Sequence, residues 1–322
     1  MPAFRVPAFL FALAMTGLLT PAVAQEKRVA HITVALGNPF VGTVAKTIQD
    51  EGKKNGMAVS VFGGPFDAAL QSQQIDDAIA QKYDAIALFP ANPNALLPAL
   101  TRAKAAGIPV VLINSGIASG HDDLYLSYVG EDQKVLGQIV GKMISDAAKG
   151  RDAYKVAIIS GTLSESTPQS RIAGFKDAIA ANPKIEIVAV EDARWDMARS
   201  EQIAGQLFAR FAARGGLDAV FAMADYMAFG VIKSAKAARI PLGTGKGQTM
   251  VVASNCAKMG IDAIAAGEQF GTATQMPART GRETVATLKQ HFAGQPIKKE
   301  NILEMVAITK QNVETFRTDC TF

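Results

Sequence analysis

The 322-residue sequence is poor in the side chains from which most catalytic and metal centres are built. It has only three histidines, His31, His121 and His291, and only two cysteines, Cys256 and Cys320. The spacing gives no histidine an acid, base or metal-ligand partner, and the distant cysteines exclude a CxxC redox or zinc motif. The sequence therefore predicts neither an enzyme nor a metal site.

Motifs that hold phosphate or calcium are also missing. There is no GxSxG nucleophile elbow and no GxxxxGK[ST] phosphate loop. The glycine-rich segment 243–247 superficially resembles a phosphate loop, but it lacks the Lys-Ser/Thr ending and precedes a strand-like run. The acidic pairs at 122–123 and 131–132 lack the spacing of a calcium loop. We therefore expect no cofactor.

The sequence lacks a block of like charges. Lys and Arg number 33 and Asp and Glu number 29, which gives a formal net charge of +4 spread along the chain. Nucleic-acid binding usually needs a concentrated basic patch. The sequence therefore predicts no nucleic-acid partner.

The N-terminus carries the features of an export signal. A single basic residue, Arg5, precedes an apolar core at 8–15 and an Ala-Val-Ala ending at 22–24. This pattern predicts a signal peptide over residues 1–24, cleaved after Ala24. The apolar core is shorter than the ~20 residues that span a bilayer, and no cysteine follows the cleavage point for a lipid anchor. We expect an exported chain without a membrane anchor.

Export also bears on the two cysteines. Disulfides form and persist in oxidising compartments, whereas they are rare in the cytosol. We therefore expect Cys256 and Cys320 to pair, with a structural role.

Apolar, strand-like runs alternate with longer amphipathic segments along the whole chain. The strand-like runs are 29–36, 57–62, 84–89, 109–113, 124–129, 155–160, 185–190, 219–223, 250–254 and 271–274. The helical segments are 41–55, 68–81, 94–106, 135–148, 169–181, 198–213 and 228–238. Several strands are apolar throughout, as in parallel strands covered on both faces. Repeated βα units predict an α/β fold of doubly wound parallel sheets, which we divide near Glu131-Asp132.

Polar residues follow several of these strands. In parallel sheets, ligands bind beyond the carboxyl ends of the strands. The residues at those ends are Asn38, Asn114, Ser115, Asp225, Asn255 and Gln275. Each alone is better explained as a helix cap or turn former, and Asp225 is expected to cap the helix that begins there. Together, their shared position predicts a polar cleft.

Seven segments, in order, resemble the ribose-binding-like (type I) periplasmic sugar-binding proteins. They are Val34–Phe40 with its Asn-Pro-Phe turn, Tyr83–Pro90, Gly107–Val111, Val129–Asp132, Arg171–Phe175, Asp218–Ala222 and Met250–Ala253. The resemblance covers essentially the whole mature chain. It implies two lobes that close about three hinge crossings, placed near 131–132, 275–276 and 301–303. The expected lobes are 25–131 with 276–305, and 132–275 with 306–322.

The resemblance also implies a set of ligand contacts. Asn38 matches a position that bonds sugar hydroxyls, and Phe40 and Trp195 match aromatics that stack on the sugar ring. Arg171 matches an arginine that donates to ring and hydroxyl oxygens, and Gln275 matches a hinge-side amide. For Trp195 and Arg171, core packing and a surface ion pair are the respective alternatives.

Four departures from the ribose-type pattern argue against ribose as the ligand. Asn114-Ser115 stands where the pattern has Asp-Arg, and Asn255 replaces a second Asp. Phe89 and Ala224 occupy positions that are often Asn. Two negative charges are lost while Arg171 stays, so the hypothesis is a different sugar, a polyol, or an anionic sugar derivative paired with Arg171.

By resemblance, the expected partner is the membrane permease of an ABC transporter, and the expected state is a monomer in the periplasm. There are three alternative functions. A transcriptional regulator of this fold would need an N-terminal helix-turn-helix, and an exported enzyme would need a catalytic set. A sensor that presents its ligand to a membrane kinase or chemoreceptor remains open, because it uses the same closing lobes.

Overall fold

A computed structural model describes residues 26–322, so the predicted signal peptide and its cleavage point lie outside the described residues. Twelve strands and nine α-helices form the described part. The strands are β1 (Lys27–Ile32), β2 (Met57–Phe62), β3 (Ala85–Leu88), β4 (Val110–Ile113), β5 (Ser127–Gly130), β6 (Tyr154–Ser160), β7 (Ile185–Asp192), β8 (Ala219–Ala222), β9 (Met250–Val252), β10 (Gly271–Ala273), β11 (Glu300–Ile302) and β12 (Ala307–Thr309). The helices are α1 (Pro39–Lys54), α2 (Ala68–Ala80), α3 (Leu97–Ala105), α4 (Gln133–Ala147), α5 (Ser166–Ile179), α6 (Met197–Ala212), α7 (Asp225–Ala237), α8 (Lys258–Ala266) and α9 (Pro277–Phe292).

The first sheet has the strand order β11-β5-β4-β3-β1-β2, and all its strand pairs are parallel. Alternate residues of each strand face opposite sides. One face packs on α1 and α9, and the other packs on α2 and α3. Because both faces are covered, the strands are apolar throughout. We call this sheet with its four helices the first lobe.

The second sheet has the order β12-β10-β9-β8-β6-β7. Helices α4 and α5 cover one face and α6 and α7 the other. We call this sheet with its helices, including α8, the second lobe. Both sheets are doubly wound, so the predicted α/β fold class is confirmed.

One strand of the second sheet departs from the predicted parallel arrangement. The edge strand β12 is antiparallel to β10. It follows β11 of the other sheet after only a short connection, 303–306. The carboxyl ends of the parallel strands in both sheets face the gap between the lobes. A chain that crosses this gap directly therefore enters the second sheet at that edge, and its strand runs opposite to the parallel strands.

The chain passes between the two sheets three times. The first passage is 131–132, the second is 274–276 and the third is 303–306. The first two coincide with the expected positions. The third lies slightly later than expected, because Asn301 belongs to β11 of the first sheet.

Four elements did not emerge from the sequence patterns: α8, α9, β11 and β12. The buried face of α9 explains its omission, since it includes Thr280, Gly281, Thr284 and Thr287 beside a few aliphatic residues. Small and hydroxylated residues make the segment as a whole hydrophilic, so it has few of the aliphatic residues that mark a buried helix face in a sequence. The strands β11 and β12 have three residues each, too few to show an alternation.

The C-terminal segment ties the second lobe to the first. Cys256 and Cys320 form the predicted disulfide, with their Cα atoms 5.2 Å apart. Two residues later, the ring of Phe322 packs edge-on against Phe40 of the first lobe, with centroids 5.9 Å apart. Within residues 26–322, no helix combines the length and apolar character needed to cross a bilayer.

Candidate ligand-binding site

A cavity of about 30 Å³ lies between the lobes, beyond the carboxyl ends of the strands. Its lining comprises Asn38, Phe40, Val41, Phe66, Phe89, Asn114, Glu165, Thr167, Arg171, Trp195, Tyr226, Asn255 and Gln275. Pockets for small molecules usually measure ~300–1,000 Å³. A sugar-sized molecule therefore enters only when the lobes move apart.

The wall on the first lobe is made of aromatic rings and amides. Asn38 caps α1, because its Oδ1 accepts from the backbone N–H groups of Phe40 (3.0 Å) and Val41 (3.4 Å). Its Nδ2 donates across the gap to the Tyr226 hydroxyl at 2.7 Å. The helix-cap and ligand-contact interpretations of Asn38 are therefore compatible, since the cap uses only the carbonyl and the NH₂ group faces the other lobe.

Asn114 sits where the first lobe meets the hinge. Its φ of +60° is left-handed, a conformation that Asn tolerates better than most residues. Its Oδ1 accepts from Gln275 Nε2 and, at 3.3 Å, from Gln133 Nε2. The predicted residues Asn114 and Gln275 are thus bonded to each other at the second passage between the lobes.

Arg171 is the centre of a buried hydrogen-bond network. It is only 2% exposed. Its Nε and Nη2 both donate to Gln133 Oε1 (2.9 and 2.7 Å), and Nη2 also donates to Gln275 Oε1 at 2.9 Å. Nη1 donates to Met223 O and to Ser254 Oγ, both at 2.8 Å.

These five hydrogen bonds use all five N–H groups of the guanidinium. Arg171 lines the cavity as predicted, but its donors are bonded to the protein and not directed to a ligand. In this structure it therefore acts as a positioning residue. The alternative of a surface ion pair is also wrong, because the side chain is buried.

Glu165 and Trp195 form a pair on the second lobe. Trp195 Nε1 donates to Glu165 Oε1 at 2.9 Å. The Trp195 ring lies so close to Gly161 that a Cβ there would approach it to 2.0 Å, so the position requires glycine. Glu165 is 1% exposed and follows β6 in a strand-end loop.

Asn255 and Asp225 lie at the ends of β9 and β8. Asn255 lines the cavity, and its Oδ1 accepts from the backbone N–H of Asp225 at 3.2 Å. Asp225 does not cap its own helix, contrary to the sequence interpretation. Its Oδ2 accepts from Ala257 N, which precedes α8, and its Oδ1 accepts from Gln269 Nε2. Asp225 therefore joins α7 to α8 inside the second lobe.

Two predicted site residues do not line the cavity. Ser115 is buried between the lobes, where its Oγ lies 2.6 Å from Thr167 Oγ1 of the second lobe. Ala224 is fully buried under the start of α7 and packs in the core. The other eight predicted residues do line it: Asn38, Phe40, Phe89, Asn114, Arg171, Trp195, Asn255 and Gln275.

Burial alters the proton affinity of the charged groups. It raises the pKa of Glu165 to about 8, opposed by the hydrogen bonds from Thr162 and Trp195. It likewise raises the pKa of Glu131 and of Asp225 to about 7. Burial lowers the pKa of Arg171 to about 10, and the nearby Glu131 opposes that change. One guanidinium is thus surrounded by three buried carboxyl groups.

Five lining residues were missed by the sequence interpretation: Val41, Phe66, Glu165, Thr167 and Tyr226. The strand-end argument could have identified Glu165, because this residue lies in the loop after β6. Tyr226 is next to Asp225, and Thr167 is in the first turn of α5, so neither differs from an ordinary helix residue in sequence.

Comparison with known proteins gives a family. A family profile described as "Periplasmic binding protein domain" matches residues 29–296. This chain belongs to the periplasmic binding protein family. Over 95% of this chain and 99% of its relative, it is 24% identical to the ribose import binding protein of Escherichia coli (strain K12).

Solved structures of similar fold cover nearly all of the chain. One, a galactofuranose binding protein, has a TM-score of 0.84 at 21% identity, over 91% of this chain and 97% of that one. Another, the fructose binding periplasmic domain of a hybrid two component system, has a TM-score of 0.81 at 20% identity, over 91% and 93%. The predicted resemblance to type I periplasmic sugar-binding proteins is confirmed, and membership of this family implies the periplasm.

Proposed function

We propose that this protein captures a sugar or sugar-like ligand (a sugar, polyol or sugar acid) between its lobes and delivers it to an ABC-type permease. The observation that carries the proposal is the interlobe cavity, which both lobes line. It combines aromatic rings, which suit the C–H faces of a sugar, with amides and a carboxyl group, which suit its hydroxyls. The names of the relatives support it, since they refer to ribose, galactofuranose and fructose.

The proposed mechanism is reversible capture. The closing units are 25–131 with 276–305, and 132–275 with 306–322. Contacts made by both lobes at once, such as that between Asn38 and Tyr226, exist only in the closed form. A ligand that adds joint contacts shifts the population toward that form, which the permease then recognises. The proposal also includes that the protein is a monomer, has no enzymatic activity and loses its signal peptide after Ala24.

Thermal-shift screening of the chain from Gln25 onward tests the ligand class. A ligand at about 100 times its Kd stabilises the native state by about 2.7 kcal/mol, which raises the Tm by a few degrees. We expect at least one sugar, polyol or sugar acid to do so in the wild type, and the same compound at the same concentration to stabilise Trp195→Ala by at most about half as much. A panel without any stabilising member would contradict the proposal.

A sensor role is the second candidate, and one observation favours it. A structure of the same fold is the periplasmic domain of a two component system. Uptake of the radiolabelled ligand by a strain lacking the gene separates the two. Lost uptake supports delivery to a permease, whereas unchanged uptake with a lost transcriptional response supports sensing.

A further inference from the structure

Three hydrogen bonds join the segment 164–167 of the second lobe to loops of the first lobe that follow β3 and β4. The bonded atoms are Ser115 Oγ with Thr167 Oγ1 (2.6 Å), Ser166 Oγ with Gly116 O (3.2 Å) and Asn92 Nδ2 with Ser164 O (3.4 Å). None of these residues belongs to a passage between the lobes. The bonds therefore join two bodies that move apart when the cleft opens.

The bond between Ser115 and Thr167 is the most buried of the three. Ser115 is 1% exposed and Thr167 is 2% exposed. Ser115 does not line the interlobe cavity, although the sequence interpretation placed it at the ligand. We propose that the Ser115–Thr167 pair raises the affinity for every ligand by stabilising the closed form, without Ser115 touching the ligand. This inference rests on the proposed function and adds a residue that determines affinity from outside the cavity.

The first argument is the burial of the two hydroxyl groups. Within residues 26–322, each hydroxyl has the other as its hydrogen-bond partner. A buried polar group without a partner is unfavourable, whereas water can bond both hydroxyls once the lobes have separated. Removal of one hydroxyl therefore penalises the closed form and leaves the open form almost unaffected.

The second argument is that the segment 164–167 also forms part of the ligand wall. Glu165 lines the cavity and accepts from Trp195 Nε1 at 2.9 Å. Thr167 lines the cavity as well. The same four residues thus face the ligand and bond the first lobe, so contact of a ligand with this wall and closure of the lobes favour each other.

An effect on closure differs from an effect on ligand contact in one measurable respect. The apparent Kd is the Kd of the closed form divided by the fraction of molecules that are closed. A residue that changes only this fraction changes the affinity for every ligand by the same factor. A residue that contacts the ligand changes the affinity for some ligands more than for others.

Calorimetry of the wild type and Ser115→Ala tests the inference. The probes are D-ribose, D-allose, D-galactose and xylitol, together with the most stabilising compound of the thermal screen. We expect Ser115→Ala to weaken the binding of each compound that binds the wild type by about 5- to 100-fold, because the Thr167 hydroxyl is left buried without a partner. The factor should be the same for all of them within about 3-fold. Unchanged affinity, or factors that depend on the ligand, would overturn the inference.

The rates of binding give a second measurement. Trp195 is the only tryptophan of the chain and lines the cavity, so its fluorescence in stopped flow reports on the cleft. We expect Ser115→Ala to release each probe faster, because the bond forms after the ligand has entered and is lost before it leaves. A loss of affinity caused by slower association alone would contradict a bond that forms on closure.

Variants of Thr167 show whether the two hydroxyls act as a pair. Thr167→Val should weaken binding as Ser115→Ala does, and it serves if Ser115→Ala does not fold, whereas Thr167→Ser keeps the hydroxyl and should bind like the wild type. The double variant Ser115→Ala/Thr167→Val leaves neither hydroxyl without a partner, so it should bind within about 5-fold of the wild type. Effects of the two single variants that simply add in the double variant would overturn the inference.

Ser127→Ala is the matched control. Ser127 is a fully buried serine of the first lobe, and its Oγ donates to Lys298 O at 2.8 Å within that lobe. Its loss should lower stability and leave the Kd of every probe unchanged. Equal losses of affinity in Ser127→Ala and Ser115→Ala would overturn the inference and leave the proposed function standing. If no compound bound the wild type, the proposed function itself would be contradicted, and this inference with it.

Discussion

The two lobes line the same cavity with side chains that differ in how many hydrogen bonds they make to the rest of the protein. The first lobe contributes aromatic rings and the amide of Asn38, whose NH₂ group is free to change partners as the lobes move. The second lobe contributes Arg171 and Glu165, and Arg171 is locked by five hydrogen bonds. A side chain on the first wall can therefore be changed at moderate cost, whereas Arg171 on the second wall supports the fold as well as the site.

Loss of Arg171 from the second lobe should have the largest effect on stability. We expect Arg171→Met to lower the free energy of unfolding by about 3–5 kcal/mol, because it leaves buried carboxyl and amide groups without their partner. Urea unfolding measures this. Asn38→Ala on the first wall should cost only about 1 kcal/mol, the usual value of a helix N-cap.

Arg102→Met is the matched control for the removal of an arginine. Arg102 pairs with Asp76 on the surface, so its loss should change stability by less than about 1 kcal/mol. Equal effects of the Arg171 and Arg102 substitutions would contradict the claim that the buried network around Arg171 supports the fold.

The second largest loss of stability is expected on removal of the disulfide in the second lobe. Cys256 and Cys320 are 64 residues apart, and a crosslink over such a loop stabilises by about 2–4 kcal/mol. We expect Cys256→Ser/Cys320→Ser to lower the free energy of unfolding by that amount, and the wild type with reductant to match it. A double variant as stable as the oxidised wild type would show that the bridge does not stabilise the lobe.

The pH dependence of stability should reveal the titration of Glu165. Its pKa rises from an ordinary 4.5 to about 8 in the folded state. Its contribution to stability is therefore present below about pH 4.5 and is lost as the pH rises through about 8. Between about pH 5 and pH 9, the wild type should lose on the order of 3 kcal/mol relative to Glu165→Gln.

The comparison with Glu165→Gln removes other titrating groups from consideration. Burial lowers the pKa of His31 to about 4, which destabilises both proteins equally as the pH falls below 6.5. Glu131 and Asp225 also titrate in both proteins. Parallel stability curves for the two proteins would contradict the assignment.

The smallest expected effect concerns the contact between the lobes at the C-terminus. Phe322 packs edge-on against Phe40, a contact that contributes about 0.5–1.5 kcal/mol. We expect Phe322→Ala to weaken ligand binding several-fold in calorimetry, since Phe40 loses a support. Phe270→Ala, an exposed residue of the second lobe outside the interlobe cavity, should leave affinity unchanged.

The sequence predicted the fold well because its strongest signals are local. The apolar run of β3 and the polar residue after β4 are visible without any knowledge of the partner strands. Eight of the ten predicted site residues line the cavity: Asn38, Asn114, Asn255 and Gln275 follow strands, whereas Phe40, Phe89, Arg171 and Trp195 were predicted from the family resemblance alone. Ser115 and Ala224 do not, because one step along the chain turns a side chain toward the opposite lobe or into the core.

The role of Arg171 was not predictable from sequence. Its partners Gln133, Ser254 and Gln275 come from separate segments, so only the folded structure shows that its donors are occupied. The same applies to Glu165, whose contact with Trp195 joins the loops that follow β6 and β7. Networks between distant segments leave no period and no spacing in a sequence.

Calorimetry of the wild type, Asn38→Ala and Trp195→Ala with the most stabilising compound of the thermal screen tests the central claim most directly. The two substitutions alter one side chain on each wall of the cavity. Capture between the lobes predicts that each weakens binding by about 10- to 100-fold, as expected for loss of 1.4–2.8 kcal/mol. Unchanged affinity in both variants would contradict binding in this cleft.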